Sequence, residues 1–218
     1  MMSVKQKHEI TCRCGFTLEA ELWDGINVQE QPELKELLLD GELNIVICPR
    51  CDEMFYAEHF LIYFDPSEEL LAFVFPEARK REKEKCSKEM REKFENIKLE
   101  SGSYGMDYEP MVLFGLESLM EFLVKQDENE LEIQVVEKLA KELGFGIARL
   151  RPSIARLYGI PKVLPCRSSQ TNGSVDDIYA GLKDLTRKNR RLKFYSHALD
   201  RIREVGDLQF QQEVKTGR

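Results

Sequence analysis

The sequence predicts an α+β protein in two parts, a small, mostly antiparallel sheet within residues 1–125 and a mainly helical region over residues 126–218. Three observations carry that expectation. Up to about residue 77, short runs rich in aromatic and β-branched residues are separated by turn residues, which is how strands punctuate a sequence. Beyond Glu77 the composition shifts to charged stretches whose apolar residues recur at helical spacing. A chain of 218 residues with 42% hydrophobic and 33% charged residues can bury a good core in one or two domains, and its six cysteines are too few for a disulfide scaffold.

Residues 4–12 and 16–23 read as strands. In the second, Phe16, Leu18, Ala20 and Leu22 alternate with Thr17, Glu19, Glu21 and Trp23, the period of two expected of a sheet with one wet face. The segment QPELKELLLDGEL is a short helix: Pro32 suits its first position, Leu34, Leu37 and Leu38 form its buried stripe, and Gly41 ends it. NIVIC resumes as a strand that delivers Cys48. EMFYAEHFLIYF and LLAFVFP follow as two strands around the turn DPSEE, apolar enough to be covered on both faces.

The run ARKREKEKCSKEMREKFENIK then predicts a helix with one narrow stripe, Cys86, Met90, Phe94 and Ile97. SGSYG breaks it and MDYEPMVLFG is extended. LESLMEFLVKQ and ELEIQVVEKLAKELG predict two amphipathic helices, the second closed by Gly144. A short helical turn lies in RPSIARLYGIPKVLP, followed by the loop CRSSQTNG. Ser174 and Asp177 form a capping pattern that opens the longest helix, residues 175–205, about 45 Å long at 1.5 Å per residue.

The net charge of −7 is unevenly spread. Residues 1–77 carry −11, residues 78–100 carry +3, residues 101–144 carry −7 and residues 145–218 carry +8. A segment at −11 repels phosphate backbones, so the cysteine-bearing part is a poor reader of nucleic acid. The opening residues MMSVKQKHEITC hold no apolar core with a cleavage site, and no window approaches eighteen uncharged apolar residues. The expectation is a cytoplasmic, reducing compartment and no membrane association, where paired cysteines more often bind metal than form disulfides.

Four cysteines are paired in this way: Cys12 and Cys14 in TCRCGF, Cys48 and Cys51 in ICPRCDEMF. Tetrahedral zinc with Zn–S near about 2.3 Å wants sulfurs roughly 3.8 Å apart, and two segments giving two sulfurs each satisfy that geometry. CPRC is a two-residue knuckle stiffened by Pro49. CRCG is one residue shorter. In an extended segment its two sulfurs point to one face, and Gly15 permits the turn that follows. The expected cofactor is therefore structural Zn²⁺ held by Cys12, Cys14, Cys48 and Cys51. A metal-free packed site and redox chemistry are the alternatives. A reactive dithiol needs its first cysteine at a helix N-terminus, whereas CPRC runs into a strand pattern.

With ITCRCGFTLEAELWDGINV, PELKELLLDGEL and NIVICPRC followed by aromatic strands, the chain resembles the CpXC-domain proteins of bacteria and archaea over about residues 8–125. That resemblance implies a zinc-ribbon-type module with Cys12, Cys14, Cys48 and Cys51 as ligands, and it implies no activity. The first pair departs from the family pattern by lacking one residue and the proline, with His8 as a substitute ligand for Cys12. Cys86 and Cys166 read as ordinary small residues, and His59 as a sheet residue.

No Gly-rich phosphate loop, HExxH or nucleophile with a nearby histidine pattern occurs, and a closed four-sulfur site has no open position to activate water. The expectation is a zinc-stabilised, non-catalytic module that binds another protein or itself. The rival is a nucleic-acid-associated factor using Arg187, Lys188, Arg190, Arg191 and Lys193; a third reading is a thiol oxidoreductase. On the last helix Ile178, Leu182, Leu185, Leu192 and Leu199, interrupted by Asn189 and Ser196, form a near-heptad seam. It serves either a homodimer or packing on the helices of residues 116–143.

Overall fold

The computed structural model describes residues 2–101, 106–168 and 174–205. In chain order its elements are β1 (Val4–Thr11), β2 (Thr17–Asn27), α1 (Glu33–Leu39), β3 (Ile45–Ile47), β4 (Met54–Tyr56), β5 (Leu61–Asp65) and β6 (Leu70–Phe75). Then come α2 (Lys83–Ser101), β7 (Met111–Phe114), α3 (Gly115–Leu143), β8 (Gly146–Arg149), α4 (Pro152–Tyr158), β9 (Val163–Cys166), α5 (Val175–Lys188) and α6 (Lys193–Val205). The chain divides into two compact units, Met1–Val124 and Lys125–Arg218, with the division falling inside α3. Among the described residues no helix is long and apolar enough to cross a membrane.

The first unit is an α+β body around a mixed sheet of order β1-β2-β5-β6-β7. β1 with β2 and β5 with β6 are antiparallel, and β2 with β5 and β6 with β7 are parallel. Every residue of β6 is buried, and the two-residue period sorts them. Leu70, Ala72 and Val74 join Leu34 and Leu38 of α1 and Leu119 and Leu123 of α3 on one face. Leu71, Phe73 and Phe75 join Cys86, Met90 and Phe94 of α2 on the other. Helices thus cover both faces, as the uninterrupted apolar run LLAFVF demands. The narrow stripe of α2 is fully used, with Ile97 partly buried beside it.

Several local expectations are corrected. Leu37 is 36% exposed, so the buried stripe of α1 is Leu34 and Leu38; Gly41, at φ 75°, does end the helix. EMFYAEHFLIYF is two strands rather than one, β4 and β5, with His59 in the connection between them. α2 begins at Lys83 after a 3-10 segment over Glu77–Glu82. The two helices expected across residues 116–144 are one, α3, because QDEN contains neither proline nor glycine to stop it. Of the expected break SGSYG and the expected loop CRSSQTNG, residues 102–105 and 169–173 lie outside the described residues, while Ser101 still belongs to α2 and Cys166 to β9.

The second unit has its own core. β8 and β9, joined through α4, pair antiparallel, a pairing absent from the expected elements because four-residue strands carry too little periodicity to register. The expected single helix over residues 175–205 is broken into α5 and α6. Asn189, read as a polar position in a helical seam, instead leaves the helix at φ −130° and ψ 97°, and its Oδ1 accepts from the Arg191 amide at 3.0 Å. That side-chain turn competes with the helical ladder and stops it. The Glu132 carboxylate then accepts from the Lys193 and Phe194 amides at 3.1 and 2.9 Å, which caps α6. The break lets Ile178, Leu182 and Leu185 of α5 and Tyr195, Ala198 and Ile202 of α6 share one core with Ile133 and Val136 of α3, β8, β9 and Leu192. The seam proposed for a homodimer is therefore consumed inside the unit.

Candidate metal centre

Two hairpins bring the four cysteines together. The β1–β2 connection is tight: the Cys12 amide donates to the Phe16 carbonyl at 2.8 Å and the Gly15 amide to the Cys12 carbonyl at 2.8 Å. Gly15 stands at φ 80°, the left-handed region that a side chain disfavours, as its place after Cys14 led one to expect. Cys12 and Cys14 lie in this turn and not in an extended segment. The β3–β4 connection repeats the motif, with the Cys48 amide donating to the Glu53 carbonyl and the Asp52 amide to the Cys48 carbonyl, both at 2.9 Å.

Asn44 holds the second hairpin to the first. Its buried side chain accepts from the Trp23 amide at 2.8 Å and donates to the Trp23 carbonyl at 3.1 Å, so one amide group substitutes for a strand partner of β2. Its own carbonyl accepts from the Ala57 amide. Leu22, Val46 and Ala57 close a small core beneath, with Ile10, Leu18, Ala20 and Phe55 against it. Asn44→Ala leaves the Trp23 backbone groups unpartnered, and the expected cost is about 2 kcal/mol with faster amide exchange at residues 45–56. Isothermal denaturation and hydrogen exchange read both effects.

The sulfurs converge. Cys12 Sγ lies 3.6 Å from Cys51 Sγ and Cys14 Sγ lies 3.7 Å from Cys48 Sγ, and all four are within 4.8 Å of one another. A tetrahedral ion with metal–sulfur bonds near about 2.3 Å requires sulfur separations near about 3.8 Å, so the four fit one ion. None is joined in a disulfide. Cys12 and Cys48 are buried while Cys14 and Cys51 face solvent. The set can therefore bind a metal.

Backbone amides hydrogen-bond to the sulfurs and favour their thiolate forms. The Cys14 amide donates to the Cys12 sulfur, the Arg50 and Cys51 amides to that of Cys48, and the Glu53 amide to that of Cys51. At Cys48 burial opposes the thiolate, but the Arg50 and Cys51 amides together with the Cys51 and Cys12 side chains outweigh it and bring its pKa down to about 7. At Cys12 the Cys14 amide works in the opposite sense to burial and to the neighbouring sulfurs, and these win, raising it to about 12. One thiolate at the cluster comes easily and the next comes with difficulty, as expected of like groups that share one space. A cation in the middle removes that penalty. CPRC runs into β4 and not into a helix, so no helix dipole acts on Cys51 or Cys48.

Other candidates fall elsewhere. His8 does not substitute for Cys12; it faces Asp24, together with His59, in a separate cluster. Nothing in the sequence pattern pointed to Asp24: in the strand register His8 faces Ala20, and Asp24 is left unpaired at an irregularity opposite Val4 and Lys5. Cys86 and Cys166 are buried in the cores of the first and second unit.

No curated protein and no solved structure matches the chain. A family model described as CpXC protein matches residues 10–138, which takes in all four cysteines and more than half of the chain. The chain therefore belongs to the CpXC family.

Proposed function

We propose that the first unit is a zinc-stabilised, non-catalytic interaction module whose binding surface is the outer face of the β3–β4 hairpin. The observation that carries the metal is the convergence of Cys12, Cys14, Cys48 and Cys51. Zinc is the ion of choice for four thiolates in a tetrahedron, and it substitutes for core that a hairpin of two three-residue strands cannot build. Closed by four sulfurs, it has a structural role, which is to hold the hairpin in place.

What it holds in place is apolar. Ile47 pairs with Met54 and Ile45 with Tyr56 across the hairpin. Ile47, Met54 and Tyr56 are 57%, 62% and 45% exposed, while the alternate residues Val46 and Phe55 turn inward. Exposed apolar side chains clustered on one face mark a contact surface rather than a solvated one. The partner is a protein with an apolar patch, or a second copy of this chain. A photo-crosslinking residue at Met54 is expected to give discrete adducts in cells at native abundance, lost on chelation, while one at the exposed Lys88 of α2 gives none. Equal yields at both positions, or none at Met54, count against the reading.

A second reading, nucleic-acid association, is favoured by one observation: Arg187, Lys188, Arg190, Arg191 and Lys193 are all exposed around the α5–α6 turn. It requires binding that weakens steeply with salt and vanishes when these charges are removed.

A further inference from the structure

We propose that His8, Asp24 and His59 form a second metal site, an open one of two histidines and one carboxylate, which takes a divalent transition-metal ion and leaves part of its coordination shell to a ligand from the adjoining groove. His8 Nε2 lies 2.6 Å and His59 Nε2 2.7 Å from the same atom, Asp24 Oδ1, and the three donor atoms are within 4.8 Å of one another. The imidazole rings are 4.8 Å apart and inclined at 50°, so they converge on the oxygen rather than stack.

Three separate pieces of backbone meet there. His8 comes from β1 and His59 from the connection between β4 and β5. Asp24 is aimed by an irregularity. Lys5 pairs with Trp23 and Val4 with Gly25, so Asp24 is the extra residue of a β-bulge. Bulges re-aim one side chain at the expense of a ladder step, and they occur preferentially beside functional sites.

The hydrogen bonding of His59 calls for a cation. Its Nδ1 lies 3.3 Å from the Ala57 carbonyl, which can only accept, so Nδ1 carries the hydrogen. A neutral ring then presents a lone pair at Nε2 to a carboxylate oxygen that also has only lone pairs. The His8 ring meets no such conflict, since its neutral form can donate from Nε2–H to the same oxygen. A metal ion relieves the conflict at His59 and can take lone pairs from both rings and the carboxylate, and the Nδ1–H bond of His59 to a carbonyl is the arrangement that orients a ligating histidine. Bonds of about 2.0–2.2 Å to nitrogen and oxygen set donor atoms roughly 3.3 Å apart, so binding needs the Asp24 oxygen to part from each ring nitrogen by about 0.6–0.7 Å. The side chains are 30%, 22% and 13% exposed, which leaves them room to do so.

The donor set is harder than the four sulfurs and suits Zn²⁺, Fe²⁺, Co²⁺ or Ni²⁺. Among the described residues three protein donors reach the centre. The open side faces a groove of about 580 Å³ whose other walls are Met2, Val4, Phe60, Ile62 and Ile97. An ion there would meet an apolar pocket, where a small oxygen-donor ligand is poorly solvated and better held.

The test is a titration of the full, metal-stripped, reduced chain with Co²⁺. The expected result is two equivalents, one with thiolate charge-transfer absorption in the near ultraviolet and one with weak visible bands alone. Asp24→Asn and His8→Gln should each weaken the second equivalent at least about tenfold. The retained thiolate absorption reports that the fold is intact, and His8 sits on an edge strand where substitution disturbs least. One equivalent without thiolate absorption upholds this site and removes the cysteine centre. One equivalent with thiolate absorption, or two equivalents unchanged in both variants, overturns the second site.

Discussion

Cys48→Ser is expected to release the metal and lower the stability of the first unit by about 4 kcal/mol, the range in which loss of a metal ligand stands out from ordinary substitutions. Cys48 is fully buried and receives two backbone amides, so no water can stand in for its sulfur. Isolated zinc modules owe about 10–16 kcal/mol to their ion. Here the sheet keeps the two large cores on β6 without it, so the loss concentrates in the cysteine turns and the β3–β4 hairpin. For a chain of this size the midpoint should fall by roughly 10 °C, with exchange accelerated at residues 11–17 and 45–56. A chelator should reproduce the effect on the parent and leave the variant unmoved. A variant as stable as the parent would contradict the role of the centre.

Gly181→Ala is expected to destabilise the second unit although it replaces glycine by the best helix former. In an open helix the change gains about 1 kcal/mol. Gly181 of α5 lies against β9: a Cβ there would clash with the Pro165 carbonyl oxygen and stand 2.9 Å from its carbon and 3.1 Å from the Arg167 amide nitrogen. All three are backbone atoms, which cannot rotate away as a flexible side chain would. α5 must move off β9, and Leu182 and Leu185, fully buried, lose packing with it. Overpacking costs typically 1–3 kcal/mol, so the expected net loss is about 2 kcal/mol, and Gly181→Val should cost more. Chemical denaturation of both variants measures it. A stabilised alanine variant would mean that α5 does not lie this close to β9.

The cysteine centre was legible because its information is local. Two close pairs, a proline in one knuckle and a glycine after the other state both the donors and the turns that present them. The burial of β6 was legible too, since six consecutive apolar residues admit no wet face. The cluster of His8, Asp24 and His59 was not, because nothing within five residues of any of them signals the others; a bulge and the placing of β5 beside β2 bring them together. Asn44 was invisible for the same reason, its partner being the Trp23 backbone. The break between α5 and α6 was misread because an asparagine at a seam position and an asparagine that turns the chain look alike in sequence. The Glu132 carboxylate, 61 residues from Lys193, caps the helix that restarts after the turn and so favours the second.

The account rests on four sulfurs sharing one ion, and X-ray absorption at the zinc edge addresses that directly on protein carrying one equivalent of zinc. The predicted first shell is four sulfurs at about 2.3 Å. A shell of nitrogen and oxygen near about 2.0–2.1 Å, or a chain that retains no zinc after purification without chelator, would contradict it.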